Sequence, residues 1–198
     1  MRSLTVYCSS SPAIEPGFAH TARLVGKELA RRGLRLVYGG GSSGLMGEVA
    51  TACRAEGGEI LGVITTHLAE LEVAFDGCDD LRVVETMRER KKIMVEEGDG
   101  FLVLPGGLGT YEEFFETLVG RVLSEHDKPI GVLNDRGYFD PLVAMIDHGI
   151  EHQFIRAAAG DLVTVHAEVE ECIEAILADE GHAHQPSDLI PPLSRPQE

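Results

Sequence analysis

The sequence predicts an α/β fold, a doubly wound, Rossmann-like parallel sheet of about seven strands with helices on both faces. Three observations predict it. Short apolar runs rich in β-branched residues alternate with longer amphipathic stretches, and that order closes as parallel strand–helix–strand units. The short runs are apolar throughout, as strands buried on both faces are. Polar and glycine-rich residues gather directly after the apolar runs, where open α/β sheets bind their ligands.

The elements follow in order. LTVYC (4–8) opens the sheet and leads into SSSP (9–12). FAHTARLVGKELARRG (18–33) is an amphipathic helix that Gly33 stops. LRLVY (34–38) runs into GGGSSGLMG (39–47), and the helix LMGEVATACRAEGG (45–58) ends at Gly57 and Gly58. EILGVI (59–64) precedes TTHLAELE (65–72), and LRVV (81–84) precedes ETMRERKK (85–92). GFLVL (100–104) leads to PGGLGTYEE (105–113), and TYEEFFETLVGRVLSE (110–125) keeps Phe114, Leu118 and Val122 at helical spacing. PIGVL (129–133) and DLVTV (161–165) complete the strands, and HAEVEECIEAILADEG (166–181) closes the fold. There is no internal repeat. From Asp179 onward the sequence holds four prolines and no apolar period. The expectation is one domain over residues 1–178 and a flexible, proline-rich tail over 179–198.

The 198 residues are 43% hydrophobic and 25% charged, enough for one sizeable core. A formal net charge of −16, from 33 acids against 17 bases, argues against nucleic-acid or anionic-membrane binding, which need clustered Lys and Arg. An anionic ligand is then a small one met by a local basic pocket, and the longest basic cluster is RERKK (88–92). Cys8, Cys53, Cys78 and Cys172 form no C-x-x-C pair and read as free thiols in a reducing compartment. With no apolar h-region at the N-terminus and no run of 18 apolar residues, the expected location is the cytoplasm.

Residues 39–44 satisfy G-x-G-x-x-G. A dinucleotide site also wants an acid at the end of the next strand, and Glu59 stands at its start. The turn therefore reads either as a tight strand-to-helix connection or as a backbone wall for a mononucleotide, with Gly40 and Gly41 as possible contacts. Residues 105–110, PGGLGT, make a better phosphate cradle: three glycines let the backbone come close, and Thr110 offers a cap and a hydroxyl. No Gly-Lys-Ser/Thr follows, so NTPase chemistry is not indicated.

Thr110-Tyr111-Glu112-Glu113 has the T-x-x-E spacing of a capping box. Spacing alone leaves Glu113 between capping and catalysis, and Glu112 reads as a solvated first-turn acid. Met87, Arg90, Lys91 and Met94 share one helical face; as the one basic cluster of an acidic chain, they suit an anion better than a merely solvated face. His148 and His152 are four apart and form a possible metal pair, but no third ligand suggests itself nearby, so no metal site is assigned. Ser9 to Ser11 read as the lining of a ligand loop.

PGGLGTYEE and MRERK together resemble the Lonely Guy (LOG) family, the cytokinin riboside 5′-monophosphate phosphoribohydrolases, which also carry the label lysine decarboxylase. The family's P-G-G-x-G-T-x-x-E falls on residues 105–113 with every fixed position met. The similarity runs through VYCSSS, LVYGGGSSGLMGEVA and GYFDPLVAMIDHGIEHQFI, about residues 4–165. The resemblance implies hydrolysis of the N-glycosidic bond of N6-substituted adenosine 5′-monophosphates to free base and ribose 5-phosphate. It implies Arg90 and Glu113 as the catalytic pair. It implies Glu72, Lys91, Gly106, Gly107, Leu108, Gly109, Thr110, Tyr111 and Glu112 at the nucleotide, with Ser9, Gly40, Gly41 and Met87 as further possible contacts. No cofactor is implied, and the expected assembly is a homodimer. A broader AMP nucleosidase and a non-catalytic nucleotide carrier on the same scaffold are the alternatives. Three positions depart from the family pattern: Arg88 stands where the family has His, Val119 where it has a hydroxyl residue, and VITT (63–66) where it commonly has V-I-P.

Overall fold

The structure, a computed structural model, describes residues 1–71 and 74–181. Seven parallel strands are named in chain order: β1 (Ser3–Tyr7), β2 (Arg35–Tyr38), β3 (Ile60–Thr65), β4 (Asp80–Val84), β5 (Phe101–Val103), β6 (Ile130–Leu133) and β7 (Val163–His166). The helices are α1 (Pro16–Arg31), α2 (Gly44–Ala55), α3 (Thr66–Leu71), α4 (Met87–Glu97), α5 (Leu108–Val122), α6 (Asp140–Glu151), α7 (Ala157–Gly160) and α8 (Val169–Ala178). The sheet order is β4-β3-β2-β1-β5-β6-β7. The winding reverses between β1 and β5, with Thr5 opposite Phe101 and Tyr7 opposite Val103. In such a sheet that reversal opens a crevice beyond the strands' carboxyl ends.

Alternate strand residues feed two apolar layers. Leu4, Val6, Leu36, Ile60 and Leu102 pack on one face with Val25 and Leu29 of α1, Val49 of α2 and Ile173 of α8. Tyr7, Val37, Leu61, Phe101 and Val132 pack on the other with Met94 of α4, Phe114 and Leu118 of α5 and Leu142 of α6. Helices α1 and α2 touch at Gly26, where a Cβ would stand 2.2 Å from the Val49 carbonyl oxygen. The reading of strands apolar on both faces holds for the central strands. It fails for the edge strand β4, where Val83 is exposed, because an edge strand is covered on fewer sides.

Just past α8, Arg121 Nη2 donates to Asp179 Oδ2 at 2.9 Å, and Arg121 Nη1 donates to the Leu162 carbonyl at 2.7 Å. The start of the expected tail, residues 179–181, is thus tied to the domain, and residues 182–198 lie outside the described residues. Among the described residues no helix is long and apolar enough to cross a membrane.

Candidate active site

Two loops meet at the switch point: residues 8–11 after β1, and residues 104–107 after β5. They are joined by Ser9 N–H donating to the Pro105 carbonyl at 3.2 Å. With Gly39 after β2 and the start of α4, they enclose a cavity of about 370 Å³. A depression of about 410 Å³ at the opposite end of the sheet is lined by Asp99 and Lys128. There, however, Lys128 Nζ donates to the Val95 and Gly98 carbonyls and Asp99 accepts from the Arg2 and Ser3 amides, so these two charged groups are already engaged.

The start of α4 aims a guanidinium into the switch-point cavity. Thr86 is the N-cap and accepts from the Glu89 amide, while Glu89 accepts from the Thr86 amide. This is a capping box, and it fixes the phase of the helix so that Met87, Arg90 and Met94 line the cavity. Arg90 Nε donates to the Val63 carbonyl at 2.9 Å, and Nη1 donates to Glu113 Oε1 at 3.0 Å. The guanidinium lies so close to Gly39 that a Cβ there would fall 2.1 Å from Nη2. Gly39 is therefore a side-chain-free wall for Arg90.

Glu113 comes from α5. That helix starts earlier than T-x-x-E suggested: Gly107 is the N-cap and Thr110 the third helical residue. Neither capping expectation survives. Thr110 is buried against Gly106 without capping, and Glu113 lies too far along the helix to reach the N-cap amide. Glu112 likewise belongs to the second turn. The first turn begins at Leu108, and the Tyr111 amide donates to the Gly107 carbonyl at 3.1 Å to close it. Free amides at that end, together with the helix dipole, favour an anion. Gly107 and Gly109 have open space where side chains would stand, which leaves the backbone approachable. Tyr138 Oη donates to the Gly106 carbonyl at 2.7 Å and braces the loop from behind.

The Glu113 carboxyl sits above the ordinary carboxylate range. Burial is the leading cause, and the opposing charge and hydrogen bond of Arg90 offset it only in part. Such a group changes protonation closer to neutrality than a solvated glutamate does. Cys8 also lines the cavity. Burial holds its thiol well above the usual range, so it is no thiolate nucleophile.

The structure brings most of the expected residues together and sets some apart. Ser9, Met87, Arg90, Gly107, Leu108, Gly109, Thr110, Glu112 and Glu113 line the cavity. Lys91 turns to the Glu112 and Glu116 carboxylates. Burial works to lower the Lys91 ammonium, yet these two partners leave it raised. Tyr111 packs edge-on to Phe139, and Gly106, within the loop, packs against the Thr110 side chain.

Gly40 and Gly41 do not line the cavity: Gly40 packs near Ile64 and Leu81, and Gly41 bridges to Ala74. The rest of that glycine turn packs loops. Gly44, at φ 60°, admits the Ser9–Ser11 backbone, and the Met46 amide donates to the Ser9 carbonyl. Glu72 lies outside the described residues. Cys8, Met46 and Leu68 line the cavity unforeseen. Cys8, as the residue ending the first strand run, and Met46, in the first turn after the glycines, were the available signals. Of the departures from the family pattern, Arg88 and Val119 are exposed and off the cavity.

Solved structures share this fold. The molybdenum cofactor binding protein from Rippkaea orientalis superposes with a TM-score of 0.68 at 23% identity, covering 89% of this chain and 96% of that one. Among curated proteins, the cytokinin riboside 5′-monophosphate phosphoribohydrolase of Rhodococcoides fascians is 42% identical over 88% of this chain and 89% of its own length. The enzyme of that name called LOG in Oryza sativa subsp. japonica is 40% identical over 82% of this chain and 67% of its own length. The family described as "Possible lysine decarboxylase" matches residues 46–176. With α4 and α5 supplying Arg90 and Glu113 to one cavity at the switch point, the chain belongs to this family, which it shares in sequence with proteins named cytokinin riboside 5′-monophosphate phosphoribohydrolases.

Proposed function

We propose that the protein hydrolyses the N-glycosidic bond of N6-substituted adenosine 5′-monophosphates, releasing free base and ribose 5-phosphate. The observation that carries the reading is the buried Arg90–Glu113 pair in the switch-point cavity, and the names of relatives at 40–42% identity support it. The phosphate takes the amide end of α5. Glu113 faces the ribose. As the C1′–N9 bond breaks, positive charge develops on the sugar, and a fixed carboxylate stabilises it. The same carboxylate orients the attacking water and takes its proton as the C1′–O bond forms. The leaving base takes a proton from solvent and Glu113 returns the water's proton to solvent, so that one water is consumed and the products are the neutral free base and ribose 5-phosphate. Arg90 opposes the burial penalty on the carboxylate and holds its orientation. These site assignments are part of the proposal.

Met46, Leu68, Met87 and Met94 give the cavity an apolar wall, which suits an N6-alkyl substituent better than the bare amine of AMP. The test is to incubate the protein with N6-isopentenyl-AMP and with AMP and to quantify free base from each. Release from the first, and less from the second, is expected. Equal release supports the broader nucleosidase, and no base from either contradicts hydrolysis.

The proposal extends to a cytoplasmic homodimer that does not bind nucleic acid, in keeping with the net charge of −16. Val119 on α5 and Leu123 at its C-cap stay exposed, whereas Phe114 and Leu118 go into the core. Exposed apolar side chains four positions apart on one helical face suit a subunit contact. Light scattering at micromolar concentration should give about twice 21.4 kDa; a mass near one chain would contradict the dimer.

A further inference from the structure

We infer that the carboxyl-terminal end of α6 is a binding site for a borderline divalent transition cation of the zinc class, held by His148, Glu151 and His152. The sequence offered only the two histidines. The structure adds Glu151: its carboxylate and one ring nitrogen from each histidine all lie within 4.8 Å of one another. The three stand at i, i+3 and i+4 on one helical face. The two imidazole rings are edge-on with centroids 4.3 Å apart. Among the described residues, no hydrogen bond or ion pair engages these three side chains.

Metal–ligand distances of about 2.0–2.2 Å in a tetrahedral site place ligand atoms roughly 3.4 Å apart. Exposed side chains can close from 4.8 Å by small rotations, with no movement of the backbone. That backbone is fixed. The Gln153 amide donates to the Ile150 carbonyl, and the Phe154 and Ile155 amides donate to the Gly149 carbonyl. These bonds lock the helix end, with Gln153 at φ 63°. The partial negative charge at a helix carboxyl end favours a cation, and the acidic surface adds to it.

Two imidazoles with one carboxylate select Zn²⁺, Ni²⁺ or Cu²⁺ over Mg²⁺ and Ca²⁺, which prefer all-oxygen shells. Three protein ligands leave one position for water or for a side chain of another molecule. Helix α6 leaves the carboxyl end of β6 and returns toward the amino end of β7. The site is therefore remote from the Arg90–Glu113 cavity, and the inference stands independently of the proposed reaction.

The test is calorimetric titration of the full chain with ZnCl₂. His182 and His184, sequence positions outside the described residues, are replaced by Ala in every arm so that their imidazoles do not contribute. One equivalent of Zn²⁺ is expected, undisturbed by a large excess of Mg²⁺. Adding His148→Ala/His152→Ala should weaken binding by about 100-fold or more, and Glu151→Gln by roughly tenfold. Zn²⁺ should raise the Tm of the parent and leave that of the double variant unchanged. Circular dichroism of the double variant should match the parent, since all three positions are exposed. Absence of saturable binding in the parent, or an unaltered isotherm in the double variant, overturns the inference.

Discussion

Arg90 Nη1 donates to Glu113 Oε1 at 3.0 Å, in a cavity where the two side chains are only 7% and 10% exposed. The guanidinium is used twice over, because its Nε also holds the Val63 carbonyl at 2.9 Å. A lysine can reproduce the charge but not the planar fork that serves both acceptors. Arg90→Lys is therefore expected to lose about tenfold or more in turnover, and Arg90→Ala about 100-fold. Steady-state release of free base measures both. Full activity in Arg90→Lys would show that only a point charge is required.

Gly39 offers a test of the same geometry that leaves both charged groups in place. A methyl group there would meet Arg90 Nη2 at 2.1 Å and Met46 Sδ at 2.9 Å. Gly39→Ala should displace the guanidinium and lower kcat by roughly tenfold or more, as misplacement of a catalytic group does. Circular dichroism confirms that the fold persists. Unchanged kcat would mean that Arg90 adapts without cost.

The protonation of Glu113 sets a pH dependence. Its carboxyl is raised above the usual range, chiefly by burial, and Arg90 opposes that rise. On the proposed mechanism the ionised form is the active one, so kcat/KM should climb with pH through an apparent value above the ordinary glutamate range of about 4.3. Removing the positive charge in Arg90→Gln removes the opposing influence, and the limb should move to higher pH. The linked stability has a definite sign. A folded-state value raised above the unfolded one favours the fold at low pH, and that contribution is lost as pH rises through the folded value. A pH–rate profile that is flat across the acidic range, or a limb moving to lower pH in the variant, would contradict this assignment.

Much of this was legible in the sequence, for reasons that particular residues make clear. Central strands such as β1 and β3 are buried on both faces, so their apolar runs stood out. The edge strand β4 did not follow that rule. PGGLGT signalled a turn into a helix, but the helix start was misplaced. T-x-x-E is also a capping pattern, and only the packing of α5 shows that Gly107 takes the N-cap. The true capping box, Thr86 with Glu89, lay unremarked in a run read for its charge. Nothing in the sequence pattern around Arg121 shows where its side chain goes. It is buried on the Leu162 carbonyl and Asp179, partners 41 and 58 positions away that no local pattern indicates. Leu68 reaches the cavity by tertiary folding alone.

The 5′-phosphate should carry much of the binding energy. The α5 amides meet an anion only if one is present, and Tyr138 holds the Gly106 carbonyl that shapes the loop. The kcat/KM for N6-isopentenyladenosine should be about 100-fold or more below that of its 5′-monophosphate. Tyr138→Phe should raise KM for the monophosphate more than it lowers kcat. Equal kcat/KM for nucleoside and nucleotide would remove the phosphate from this loop.

On the proposed mechanism it is the negative charge of Glu113, and not merely its side chain, that carries the reaction. Glu113→Gln keeps the size of the side chain and retains an oxygen to accept from Arg90, while removing the negative charge that the developing ribosyl cation needs. The most direct measurement is the rate of free-base release from N6-isopentenyl-AMP by Glu113→Gln and by the unaltered protein, at matched concentration and with both shown to be folded. The account predicts a loss of roughly 100-fold or more, with little change in Tm; turnover within a few-fold of the unaltered protein would contradict it.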